Sequence, residues 1–504
     1  MSPAGVAMSP ESRPAASWTQ SGWLLAAALA AQSALLFHRL GLGSLWGDEV
    51  FTLETASHGW SQILQTVAVD IHPPAYFFLA RSWLQLPLGL SPLEQVRALS
   101  AIFLLLALVA VDRLWLRDWS GRPWFLALWT ASPCLLLYGR MGRSYSLQLL
   151  CAVVALRLGM DLAGRPSEVK RLLGYTTAVT VLLYVHYAPG LGLLAAAGIL
   201  LARRRAWRAL LVSNALVAAA YLPWLATLAG ALGSMTRKHP YQVVHNPIVN
   251  YGVKLAYWFV SFTFGECLTT ALVVLSAFLS PFLVWWAVRA LRPMPEWFPL
   301  VVSTAVIAQA GVAAWVSFPF MPARLLFLWP FWILLLVRGS EARGRAGRLV
   351  LAVWLTVSVL GVSSYYRKEG FLNKAYVAPY EEIARIVNSG PGDALVAIDY
   401  FNTDAPVARQ FMRNDLNIVF LDGPDAMAEV RRLAPSASVV WHLANTHDIS
   451  PGHLNTALDQ TLSAERRVVR REYLPYSGAE RVAMRILGIA EIPTHFLQLL
   501  EYRR

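Results

Sequence analysis

Hydrophobic residues along this chain come in long runs separated by short stretches rich in arginine. A helix that crosses a bilayer needs roughly 17–25 mostly apolar residues. Runs of that kind lie near 22–40, 96–116, 123–139, 145–163, 171–187, 189–202, 207–227, 268–290, 297–317, 323–338 and 348–364. Two of them are separated only by a kink around Pro189. Two further apolar stretches, 74–90 and 251–264, fit either a span or an interfacial helix. The pattern predicts an all-α polytopic membrane domain over 22–364, with about 11–13 transmembrane helices.

After about Ser364 the pattern changes. ALVAIDY (394–400), NIVFLDG (417–423) and SVVWHL (438–443) read as short buried strands. VARQFM (407–412) and AMAEVRRL (426–433) between them, and Tyr380–Ser389 before them, read as helices. Strands alternating with helices predict a small C-terminal α/β domain over 365–504. It holds no GxGxxG and no P-loop, so no nucleotide site is assigned to it. Asp399, Asp404, Asp422 and His442 are read there as solvated loop groups rather than a site.

Composition supports the membrane reading. Of 504 residues, 56% are hydrophobic and only 14% charged, too few to cover a soluble protein of this size. The net charge of +13 does not mark a nucleic-acid binder, because the arginines sit between apolar segments and not on one soluble face. If 74–90 and 251–264 do not span, one face collects Arg113/Arg117/Arg122, Arg165/Lys170/Arg171, Arg203/Arg204/Arg205/Arg208, Arg289/Arg292 and Arg338/Arg343/Arg345/Arg348. The positive-inside rule makes that face cytoplasmic. A polar tail, 1–21, is then cytoplasmic, the first run is an uncleaved span, and the loop 41–95 and the C-terminal domain are extracytoplasmic. Cys134, Cys151 and Cys267 show no metal-ligand spacing and read as small hydrophobes.

The same orientation brings Asp48, Glu49, Asp70, His72, Arg140, Arg143, His186 and Arg324 to the extracytoplasmic face from different loops. Each has a simpler reading: Asp48 as a helix cap, the arginines as snorkelling groups, Tyr145 as an interfacial aromatic, His72 as the start of the Pro73–Pro74 turn. Chemically, a carboxylate can take the proton of an acceptor hydroxyl that attacks a sugar's anomeric carbon. Arginine's planar fork suits phosphate oxygens. Asp70, His72 and Glu49 offer ligand types for a divalent metal, though nothing in the sequence requires one.

The order of four motifs carries a resemblance. They are Asp48-Glu49, DIHPPAYF (70–77), GRMGRSYSLQLL (139–150) and PARLLFLWPFWILLL (322–336). Together they resemble the GT-C superfamily of membrane glycosyltransferases, in particular family 39, the protein O-mannosyltransferases and the aminoarabinose lipid A transferases. The likeness covers the chain to about residue 364. It implies Asp48 as catalytic base with Glu49 beside it, Asp70 and His72 as a second acidic motif, and Arg140 and Arg143 as donor-phosphate ligands with Tyr145 adjacent. Arg324 resembles a further phosphate contact, and His186-Tyr187 an "HY" pair at a helix end. Gly139, Gly142 and Ser144 depart from the related pattern, which puts the local helix geometry in question. The resemblance implies a polyprenyl-phosphate-linked sugar donor, with a lipid, glycan or protein as acceptor. A flippase or transporter of lipid-linked sugars would instead call for internal repeats and midplane charges, an oligosaccharide polymerase or ligase for a large late outer loop, and a sensor for fewer spans.

Overall fold

A computed structural model of the protein describes residues 18–69, 72–117, 119–235, 247–315, 322–399, 404–421, 424–445, 454–486 and 492–504. The polar tail before residue 18, Asp70 and Asp422 lie outside these. The first part of the chain is helical throughout. It runs α1 (Trp18–Phe37), α2 (Gly47–Ser57), α3 (Trp60–Val69), α4 (Ala75–Leu84), α5 (Pro92–Trp115), α6 (Arg122–Thr130), α7 (Pro133–Arg140) and α8 (Tyr145–Gly164). It continues through α9 (Val169–Val185), α10 (Tyr187–Arg203), α11 (Trp207–Met235), α12 (Pro247–Phe264), α13 (Thr270–Ala290) and α14 (Phe298–Trp315). A 3₁₀ segment, Pro322–Leu328, then leads into α15 (Trp329–Glu341) and α16 (Gly344–Arg367).

This is an integral membrane protein. Among the described residues six helical stretches are long and apolar enough to cross a bilayer: α5, α8, Trp207–Ala229, α13, Pro322–Glu341 and α16. Gly22–Phe37, α10 and Phe298–Gln309 are shorter apolar helices. The stretch 74–90 does not span: α4 has ten residues, about 15 Å of rise against a hydrocarbon core of about 30 Å. The stretch 123–139, expected as one span, is two helices. Ser132 caps α7 through Leu135 N (3.2 Å), and Pro133 follows at its first position. Arg122, counted above in a cytoplasmic basic cluster, is buried against Asp112.

The C-terminal part folds as α17 (Tyr380–Asn388), β1 (Leu395–Asp399), α18 (Asp404–Gln410), β2 (Asn417–Leu421), α19 (Pro424–Leu433) and β3 (Val439–Asn445). Then come α20 (Leu454–Ser463), β4 (Arg467–Pro475), α21 (Gly478–Ile486) and β5 (His495–Arg503). The sheet order is β2-β1-β3-β5-β4, with β1 parallel to β2 and β3, and β5 antiparallel to β3 and β4. Asp399 and His442 are 5% and 1% exposed, so they are buried groups rather than solvated ones.

One apolar cluster ties this sheet to the membrane part. Leu45, just before α2, and Val50 within it share a core with Tyr380, Ile383, Val387, Val396 and Leu499. Gln410 Nε2 adds a hydrogen bond to Glu54 Oε1 (3.0 Å). Helix α2 therefore packs one face on the sheet domain and turns its other face to the spans. Ile383 is fully buried in that shared core. Ile383→Ala is expected to cost about 2–5 kcal/mol, measured as a lower thermal midpoint of the purified protein.

Candidate functional site

The site is built from the short helix that carries Asp48 and Glu49. Their neighbouring positions point the two carboxylates in different directions, and the two meet opposite environments. Glu49 is 1% exposed and faces Arg97 of α5. Arg97 Nε donates to Glu49 Oε1 (2.9 Å) and Nη2 to Oε2 (2.8 Å), a bidentate fork. Gly142 N also donates to Oε1 (2.8 Å) and Trp46 N to Oε2 (3.1 Å). Four donors occupy Glu49, which leaves it a holding group. The remaining donors of Arg97 reach the carbonyls of Leu40 (3.3 Å), Leu42 (3.0 Å) and Ser44 (3.1 Å), fixing the turn between α1 and α2.

Asp48 is the open one, with 32% of its side chain exposed. Arg143 Nε stands 3.7 Å from Asp48 Oδ2, and Arg143 Nη1 donates to the Asp48 carbonyl (3.2 Å) and to Thr52 Oγ1 (3.3 Å). Tyr145 OH donates to Asp48 Oδ2 (3.3 Å). Arg143 Nη2 donates to His72 Nε2 (2.8 Å). A guanidinium only donates, so this bond needs the lone pair of that ring nitrogen. The His72 ring is held between Phe51 and Phe77, at centroid distances of 5.4 and 5.9 Å. Burial alone would raise the Asp48 carboxyl; the charges of Arg143 and Arg324 outweigh it and hold Asp48 below the ordinary value of 3.8. Arg324 comes from the 3₁₀ segment, where Gln148 Nε2 binds its carbonyl (2.7 Å). His186, at the junction of α9 and α10, lies in the field of Arg324 and Arg143.

Four of the expected residues thus meet in contact, Asp48, His72, Arg143 and Tyr145, and Arg324 and His186 are coupled to them electrostatically. Glu49 supports them from behind. Asp70 lies outside the described residues, and Tyr187 instead accepts a hydrogen bond from Trp224 Nε1 (2.8 Å). Arg140 goes elsewhere. On a continuous helix, residues 140 and 143 would share a face. Helix α7 ends at Arg140, Met141 is extended, and α8 starts only at Tyr145, so the two guanidinium groups part. Arg140 binds the carbonyl of Arg39 and stacks on Tyr365 and Tyr366.

Two supports were not foreseen. Arg97 lies in the second turn of an apolar span, and its partner is 48 positions earlier in the chain. Glu266, fully buried, accepts hydrogen bonds from Tyr138, Tyr257 and Ser261 Oγ (2.8 Å). Burial pushes its carboxyl up. Tyr138 packs edge-on against Tyr145 at 6.4 Å, so this cluster buttresses the tyrosine that touches Asp48. The only sequence signal for it was a lone acid, FGEC (264–267), between apolar runs. Among the described residues no group of three or more His, Cys, Asp or Glu side chains could hold a metal ion.

No protein-family model matches the chain, and no curated protein matches it in sequence. Solved structures do match. ArnT from Cupriavidus metallidurans bound to undecaprenyl phosphate aligns at a TM-score of 0.51 and 11% identity, over 97% of this chain and 98% of that one. The same protein in the apo state aligns at 0.51 and 12% identity, over 96% and 98%. The chain has the GT-C fold. That likeness extends through the C-terminal sheet domain, beyond the region where sequence motifs carry it.

Gly142 leaves this geometry little room for a side chain. A Cβ there would stand 2.6 Å from Val96 Cγ2 and 3.5 Å from Glu49 Oε1. Gly142→Ala is expected to cost about 1–3 kcal/mol through overpacking, read by thermal unfolding, with no comparable loss for Gly164→Ala, where a Cβ meets nothing within 4 Å.

Proposed function

We propose that the protein is a membrane glycosyltransferase that moves a sugar from a polyprenyl-phosphate-linked donor to an acceptor at the extracytoplasmic face. The observation that carries this reading is the Asp48 centre: one partly open carboxylate, kept ionised by Arg143 and Arg324, in a fold shared with an aminoarabinose lipid A transferase that binds undecaprenyl phosphate. The arginine clusters at the opposite ends of the spans support the orientation.

In this mechanism the acceptor hydroxyl oxygen attacks the anomeric carbon while Asp48 takes its proton. The bond from that carbon to the phosphate oxygen breaks, and the electron pair leaves on the phosphate. Arg143 and Arg324 neutralise the charge that develops there. A phosphate is a good leaving group, so no second acid is needed at that oxygen. Displacement in one step inverts the anomeric configuration. Tyr145 and Thr52 hold Asp48 and Arg143 in register, and Glu49 positions the helix without reacting.

Asp48→Asn, expressed at the wild-type level, is expected to lower transfer by about 10²–10⁴-fold. The readout is mass spectrometry of lipid-linked sugars and surface glycans in a strain lacking the protein; unchanged transfer would remove Asp48 from the mechanism.

The pH profile gives a second test. A depressed carboxyl stays ionised above its lowered value and is lost only as pH falls through it. The acid limb of transfer is therefore expected below 3.8. In Arg143→Gln, burial acts with less opposition, and the limb is expected to move upward, alongside weaker donor binding.

A further inference from the structure

The Asp48 centre leaves one of its expected cations unused. Arg140 is 2% exposed, yet its Nε and Nη1 have no hydrogen-bond partner among the described residues. Nη2 donates to the Arg39 carbonyl, and the Tyr366 hydroxyl also lies within hydrogen-bonding reach of the guanidinium. The guanidinium carbon sits 5.6 Å from the Tyr365 ring and 5.9 Å from the Tyr366 ring. The Tyr366 hydroxyl itself donates to the Leu35 carbonyl. A buried guanidinium with two unmatched nitrogens is costly unless a group of opposite charge completes it.

Arg140 lines a cavity of about 30 Å³ that opens outward. Its charged lining is Arg97, Arg140 and Lys368 against Glu49, three cations to one carboxylate. Glu49 cannot neutralise Arg140, because Arg97, Gly142 and Trp46 already occupy both its oxygens. Lys368 is exposed and caps the end of α16 in a left-handed conformation, φ 60°. Helix α16 is a span, so the cavity sits where a span ends, at the depth of lipid headgroups. Asp48 and Arg143 do not line it. The Glu49–Arg97 pair is the wall between the two.

We propose that Arg140 and Lys368 form a second anion site, for a phosphate-class headgroup, behind the Glu49–Arg97 pair. Arg140 supplies two N–H donors from a fixed, desolvated position, and Lys368 supplies charge at the entrance. Tyr365 and Tyr366 hold the guanidinium plane, as aromatic faces do for arginine. The site concerns binding and stands whether or not Asp48 transfers a sugar. A lipid phosphate and a free phosphate share the chemistry it recognises.

The test uses purified full-length protein in neutral detergent. Phosphatidate serves as the lipid-borne probe, inorganic phosphate as the free one, and phosphatidylcholine as the control, with bound probe counted by native mass spectrometry. Arg140→Met is expected to weaken phosphatidate binding by about tenfold or more, the loss of a charge-assisted pair of hydrogen bonds. Lys368→Ala, an exposed change that spares the fold, is expected to weaken it several-fold. Arg143→Met is expected to leave the Arg140-dependent binding in place. Loss of phosphatidate alone in Arg140→Met identifies a lipid headgroup site, and loss of both probes one that also admits free phosphate. Phosphatidate binding that neither Arg140→Met nor Lys368→Ala changes, or that phosphatidylcholine displaces equally, overturns the proposal. If Arg140→Met fails to fold, Lys368→Ala decides. Transfer by Asp48→Asn is scored separately, so the two readings fail independently.

Discussion

A buried ion pair, Glu49 with Arg97, holds the site together. Taking both charges out of water is expensive, and the geometry has to return that cost through bidentate contact and full satisfaction of the remaining donors and acceptors. It does so here: Glu49 accepts four hydrogen bonds, and Arg97 spends its other donors on three carbonyls of the Leu40–Ser44 turn. The pair therefore joins α2 to α5, to the turn after α1 and to the glycine turn before α8. The two turns and the eleven-residue α2 are too short to be fixed on α5 by apolar packing alone.

Because Glu49 is anchored, the next residue back is aimed. Asp48 faces Arg143, Tyr145 and the Arg324 field on the open side of α2, while Leu45 and Val50 lock the helix onto the sheet domain. The C-terminal domain is thus part of the support of the site, through a core it shares with an eleven-residue helix. The glycine turn at 141–144 does the complementary job. By ending α7 at Arg140 it sends one arginine to each side of the buried pair, one to Asp48 and one to the Tyr365–Tyr366 cavity.

What the sequence made legible follows from how strong each local signal is. Apolar runs of bilayer length report spans directly, and β1, β2 and β3 stand out as buried runs between turn residues. Strand β4 was invisible because it is an edge strand whose side chains, RVVRREYLP, mostly face solvent. Strand β5 was hidden by Glu501, a buried acid that Arg471 and Arg503 satisfy from β4 and from β5 itself. At the site, the motifs located Asp48, His72, Arg143 and Arg324, whose chemistry is unusual beside a membrane. They could not reveal Arg97, which hides in an apolar span and acts on a residue far away in sequence. Nor could spacing separate Arg140 from Arg143, since that depends on a helix break four residues long.

The most direct measurement is a double-mutant cycle of Glu49→Gln and Arg97→Met, read by thermal unfolding and by transfer. Each single variant leaves one buried charge unpaired, and the expected loss is about 3–5 kcal/mol. The double variant is expected to regain most of that stability while transfer stays low in all three, because Asp48 is no longer aimed. Additive losses of stability, or either single variant keeping wild-type stability and transfer, would contradict the role given to the pair.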